Sequence, residues 1–177
     1  MNTTNENSSE LAGKLPAAAP NAGANPPKVH PETILIPLDF SKPADKALEY
    51  GKAFARQFGA KLVLIHILEP MVVPAELGYG FVPPPDDTLP VEALREKLAT
   101  LAAGLGNEIN VTSSIRIGRP WSEVVDAAKE SNADLLIVAT HGRTGLQHVL
   151  LGSVAEKIIR HAPCPVLVVR NDERDFV

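Results

Sequence analysis

The stretch Asp134-Leu-Leu-Ile-Val-Ala139, continued by Thr140-His-Gly-Arg-Thr-Gly-Leu-Gln-His-Val-Leu-Leu-Gly-Ser153, decides the fold. Its first half is a short continuous apolar run, the pattern of a strand covered on both faces. The turn leaving such a strand lies at a carboxyl edge, where α/β sheets bind ligands. Gly142 and Gly145 accept backbone angles that other residues resist, so successive amide N–H groups can curve into an anion-binding concavity. Ser153 is expected to open a helix and cap its first turn, with Glu156 completing a capping box and Val154, Ala155, Ile158 and Ile159 supplying an apolar face. A phosphate placed there meets N–H donors and the positive end of the helix dipole. No Walker A loop occurs, and Gly78-Tyr79-Gly80 lacks the third glycine of a dinucleotide fingerprint because Pro83 stands there. By spacing alone the loop is either a phosphate cradle or a plain strand-to-helix turn.

Outward from this stretch the chain alternates strands and helices. Ile34 to Leu38 reads as a strand; Ser41 is an N-cap candidate with Pro43 early in the helix, where a missing N–H is harmless. Ala44, Ala47, Leu48, Gly51, Ala55 and Phe58 follow at helical spacing up to Gly59. Lys61 to Leu68 is a second buried strand. Six prolines in the segment from Glu69 through Pro90 argue against regular structure, and Gly78 to Phe81 within this loop either covers a ligand or faces solvent. Val91, Leu94, Leu98, Leu101 and Leu105 mark a second helix, and alternation over Ile109 to Ile117 suits an edge strand. A third helix with a core Trp121 follows Pro120, and Val166 to Val169 is the last strand. This order implies an α/β fold, a parallel sheet with helices on both faces. Residues 1–30, rich in Asn, Ser, Ala, Pro and Gly, are expected to be disordered, with the domain over 31–172 and a short tail at 173–177.

The chain has 177 residues, 45% of them apolar, and a formal charge of −4. That acidic balance argues against nucleic acid or an anionic membrane as partner. With neither a long apolar run nor a signal-like amino terminus, the expected location is the cytoplasm. Cys164, the single cysteine, forms no internal disulfide and reads as a small buried hydrophobe.

Four motifs in order carry a resemblance. The glycine loop fits G-x-x-G, nine residues, then G-[ST], with Ala139 in the first glycine's place, Gly142 in the second, Arg143 to Leu151 between, and Gly152-Ser153 at the end. Ile34 to Ser41, Gly118 to Glu123 and His161 to Val169 supply the others. Together they resemble the universal stress protein family, in its ATP-binding, UspA-like type, from about Glu32 to Arg170. The resemblance implies a three-layer α/β/α sandwich with a five-stranded parallel sheet in order 3-2-1-4-5, of the adenine nucleotide alpha hydrolase-like kind. It implies ATP as ligand. The adenosine would lie beside Asp39, its neighbours Pro37 and Leu38, and the backbone of Ile67, with phosphates against Ala139, His141, Gly142, Arg143, Gly152, Ser153 and Val154. Family members commonly dimerise through the last strand, so a homodimer along Pro165 to Arg170 is expected.

The residues leave several roles open. Asp39 is either a ligand carboxylate or a turn carboxylate capping the first helix. His141 invites a general-acid/base reading, yet no local carboxylate orients it, and a structural or ligand-packing role is favoured. Arg143 either leans on a phosphate or points into solvent. His66, inside a strand, reads as a hydrogen-bonded core histidine, and no cluster has zinc-like spacing. The favoured function is a nucleotide-dependent regulatory module read by an unidentified protein partner, without catalytic residues. The alternatives are a slow ATP hydrolase using Asp39 and a bound Mg2+, and an ATP-free dimeric interaction module. Phosphoryl transfer needs charge neutralisation and an oriented water, and the glycine loop contains no lysine.

Overall fold

A computed structural model describes residues 29–70, 91–106, 108–141 and 151–170. The expected terminal segments fall outside these residues, apart from Val29 and His30, as do Gly78 to Phe81, Gly142, Arg143, Gly145 and His148. The elements in order are β1 (Thr33–Pro37), α1 (Lys42–Phe58), β2 (Lys61–Leu68), α2 (Val91–Leu105), β3 (Val111–Ile117), α3 (Pro120–Glu130), β4 (Leu135–Ala139), α4 (Ser153–His161) and β5 (Val166–Val169). All ladders are parallel and the sheet order is β3-β2-β1-β4-β5, as the resemblance implied.

Alternation along each strand sorts its side chains between two cores. Ile34, Ile36, Leu62, Leu64 and Ile137 pack with Ala44, Ala47, Leu48 and Ala55 of α1 and Leu98 of α2. Leu35, Ile65, Leu136 and Val138 point the other way, to Val124 and Ala128 of α3 and Ile158 of α4. The central strands are therefore apolar without a gap because both faces are covered. Helix α1 starts as its sequence directs: Ser41 takes an extended conformation, its Oγ accepts from Ala44 N, and Gly59 closes the helix at φ 68°. Gly51 faces the sheet, where a Cβ would overlap Ile36 Cδ1, so glycine lets α1 lie close on β1.

Several expectations are corrected. Strand β1 runs one residue earlier than the sequence suggested, and β3 begins at Val111. Ile117, on the face that alternation turns inward, is 66% exposed at the end of the edge strand. Trp121 is half-buried against the α3/α4 core, its ring 5.1 Å from that of His161. On α4 only Ala155 and Ile158 are buried; Val154 and Ile159 are exposed, because the helix rests on the sheet edge along a narrow stripe. Ser153 does not cap α4. Gly152 is the N-cap, at φ −68° and ψ 148°, and no side-chain cap bond is made. Glu156 N donates to Gly152 O, so Glu156 sits one position past the third helical residue that a capping box requires.

Candidate functional site

The strand order reverses between β1 and β4. The chain leaves β1 for α1 on one face and leaves β4 for α4 on the other, so the two turns diverge and leave a crevice between them. Leu38 N donates to Ile65 O, so even-numbered backbone groups of β1 face β2; Thr33 O accepts from Asp134 N, so odd-numbered ones face the β4 side. Pro37 has the parity that faces β4, and proline has no N–H to offer. The β1–β4 register accordingly runs only through Ile34↔Leu135 and Leu35↔Leu136. Beyond it the strands part.

On the β2 side, β1 pairs through Pro37↔Ile65 while β2 continues to Leu68. Ile67 shares the parity of Ile65, so its backbone N–H and C=O face the place where β1 has ended. The Asp39 turn follows directly where β1 ends. Ser41 N and Oγ donate to Asp39 Oδ1, the backbone bond at 3.0 Å, which ties the carboxylate to the residue that caps α1. The turn-carboxylate reading of Asp39 is thus seen in the structure, with Ser41 rather than Asp39 as the cap. Phe40 follows at φ 60°, a left-handed conformation costing a non-glycine residue on the order of 1 kcal/mol. Its ring lies 4.8 Å from that of His66, and Lys97 Nζ sits 4.1 Å from its centroid.

The other wall is the end of β4 and the start of α4. Gly152 N donates to Thr140 O at 2.8 Å, and Thr140 N donates to Val169 O. A Cβ at Gly152 would stand 3.1 Å from that carbonyl oxygen, so glycine permits the first turn of α4 to lie against the strand end. The N–H groups of Ser153, Val154 and Ala155 have no intrahelical acceptor, as in any first turn. Thr140 is buried, and its Oγ1 lies 2.9 Å from His141 Nδ1. Ala139 packs its methyl against the α1/α2 core, away from the face that carries α4.

Of the site residues expected from sequence, Pro37, Leu38, Asp39, Ile67, Ala139 and His141 lie at or just past the carboxyl ends of β1, β2 and β4, and Gly152, Ser153 and Val154 at the start of α4; Gly142 and Arg143 fall outside the described residues. Sequence reasoning missed Thr140 and Phe40. Thr140 was visible as the one polar residue ending an apolar strand; nothing in the sequence marks the left-handed turn at Phe40. His66 is 4% exposed and its Nδ1 lies 2.6 Å from Leu38 O, which confirms a hydrogen-bonded core histidine.

Away from the crevice, Arg116 of β3 bridges two carboxylates two turns apart on α3, Glu123 and Glu130. The pair with Glu130 holds that carboxyl below its ordinary value. Burial pushes the Cys164 thiol up, helped by the charge of Asp134, so it is a poor nucleophile. A shallow depression of about 390 Å³ lined by Ala128, Lys129, Asn132, Ala133 and Pro163 lies at the amino edge of the sheet, remote from the crevice. Among the described residues no group of three His, Cys, Asp or Glu is placed to hold a metal, and no helix is long and apolar enough to cross a membrane.

A doubly wound parallel sheet with a glycine-capped helix and an aspartate turn at its switch point defines an α/β protein of the class whose ligand sites lie at that edge. The sequence profile of the universal stress protein family matches residues 31–170, and the chain belongs to that family. It is 34% identical over 145 residues to universal stress protein MJ0531 of Methanocaldococcus jannaschii, covering 80% of this chain and 84% of that one. The fold is shared with the solved UspA of Lactobacillus plantarum, at TM-score 0.67 and 22% identity over 80% of this chain and 99% of that one. Two further solved universal stress proteins are complexes. One holds cAMP (TM-score 0.58, 23% identity, 81% and 99% coverage), and one from Archaeoglobus fulgidus holds dAMP (0.56, 20%, 77% and 96%).

Proposed function

We propose that the chain binds an adenine nucleotide, ATP by preference, in the crevice between the Asp39 turn and the start of α4, and acts as a nucleotide-dependent regulatory module. The observation that carries this is the Gly152–Thr140 contact. It brings the first turn of α4, whose first N–H groups have no intrahelical acceptor and which carries the positive dipole end, to the strand end at a residue that has no side chain of its own. Pro37 and Ile67 support the reading from the other side, since the backbone of β2 outlasts β1 where the nucleoside would lie. Ala139, in a glycine's place, is compatible with it because its methyl is turned into the core. Relatives of the same fold that hold cAMP and dAMP support adenine nucleotides as the ligand class.

In this reading Asp39 accepts from the nucleoside, while Ser153, Val154 and the glycine loop hold phosphate, and Mg2+ accompanies the phosphates. Binding biases the conformation or the assembly that a protein partner recognises. Strand β5 is an edge of the sheet, and pairing it with a second copy would cover its backbone groups. Mass spectrometry of nucleotide released from heat-denatured protein, followed by calorimetric titration of ATP into the parent and Asp39→Ala, tests the reading. ATP is expected in the released fraction, with about tenfold weaker binding by the variant, the loss of one charged hydrogen bond. A parent that releases no adenine nucleotide and binds none refutes it.

A further inference from the structure

We infer that His66 is a positioning residue for the nucleoside end of this site, acting through the Leu38 carbonyl; the inference rests on the nucleotide reading above. A carbonyl oxygen only accepts, so at 2.6 Å the Nδ1 of His66 carries the proton and donates it to Leu38 O. Leu38 is the residue at which β1 leaves the sheet. Its N–H still donates to Ile65 O, and in an unbroken parallel ladder its carbonyl would take the N–H of Ile67. The paired register instead ends at Pro37↔Ile65, and the imidazole claims the carbonyl. One side chain thereby sets the orientation of the Leu38–Asp39 peptide and fixes the end of the ladder opposite Ile67.

The same ring lies 4.8 Å from that of Phe40, which with Lys97 over it holds the left-handed residue directly after Asp39. His66 touches both sides of Asp39 in sequence while being itself buried under the turn. A turn released from this hold presents Asp39 in its binding geometry for only part of the time. The apparent affinity falls by that fraction, so a competent population of about one-tenth weakens binding about tenfold.

Two substitutions separate the hydrogen bond from mere packing. His66→Asn keeps an N–H at the place of Nδ1 but loses ring volume; His66→Phe keeps a ring beside Phe40 but has no donor. Calorimetric titration of adenosine and ATP into the parent and both variants, with melting temperatures recorded alongside, reads the result. The expected order is parent and His66→Asn within about threefold of each other, with His66→Phe about tenfold weaker for both ligands. The reverse order, His66→Phe like the parent and His66→Asn weak, makes His66 a core filler and overturns the inference. Equal affinities in all three proteins, or equal losses in both variants, overturn it as well. If His66→Phe does not fold, His66→Leu carries the same comparison. A parent that binds neither ligand refutes the nucleotide reading itself, a result distinct from any of these.

Discussion

Replacing Gly152 with alanine tests the placement of the α4 cap directly. The added Cβ would stand 3.1 Å from the backbone oxygen of Thr140, closer than ordinary van der Waals contact, and that oxygen belongs to the end of a buried strand rather than to a side chain that can swing aside. Alanine is also a poorer N-cap than glycine by about 1 kcal/mol. Crowding of this kind costs roughly another 1 kcal/mol, the lower end of the overpacking range, because the shift needed is only a few tenths of an ångström. The sum, about 2 kcal/mol, lowers the melting temperature of a domain of this size by roughly 4–8 °C. Ser153→Ala is the control. Ser153 is the first helical residue and makes no cap, so its change should stay within about 0.5 kcal/mol in nucleotide-free protein. Chemical denaturation of both variants after exhaustive removal of nucleotide measures the two values. If Ser153→Ala costs more than Gly152→Ala, the helix begins where the sequence alone suggested and the reasoning from Thr140 is wrong.

Arg116 depresses the Glu130 carboxyl from its ordinary value of 4.5, so this pair contributes stability above that pH and loses it as pH falls through the lower folded value. Arg116→Met should therefore flatten the acid side of the stability–pH curve below about pH 4.5, and an unchanged slope counts against the pair. Leu136 N donates to Pro165 O and Thr140 N to Val169 O, so the backbone of Val168 faces outward from β5. Val168→Pro should then convert a dimer to a monomer by light scattering with the β4 ladder intact; a parent that is monomeric at tens of micromolar would falsify the edge-paired dimer. ATP turnover should lie far below the ordinary enzyme median of about 10 per second, and a rate near that value would replace the regulatory reading with a catalytic one.

The sheet was legible because its central strands are buried twice over. Ile34 to Ile36 and Leu136 to Val138 admit no polar residue on either face, and a run of that kind has few other interpretations. Helix α1 was legible because its start and stop are local, a serine cap and a glycine at positive φ. Helix α4 was legible only to within a residue, since the choice between Gly152 and Ser153 as cap depends on a carbonyl twelve residues earlier. The same reason hid the Arg116–Glu123–Glu130 cluster, where register between an edge strand and a helix decides the partners. Phe40 shows the limit most plainly. No propensity favours a left-handed phenylalanine, and the conformation holds because a buried imidazole and a lysine from α2 meet its ring.

The crevice owes its existence to backbone accounting more than to ligating side chains. Pro37 withholds an N–H on the β4 side, so the two central strands separate at their carboxyl ends. His66 takes the Leu38 carbonyl on the β2 side, so the ladder stops while β2 runs on. Gly152 withholds a side chain, so a helix terminus reaches the strand end. Each device is a subtraction from regular structure, and each changes which backbone N–H or C=O groups are engaged at the carboxyl edge of the sheet. A ligand that satisfies them must present acceptors along one wall and donors or acceptors along the other, spread over the distance between two diverging turns. In the proposed reading a nucleotide, polar at both ends, spans the two turns, whereas a small anion bound at α4 alone would make no contact with the Asp39 turn.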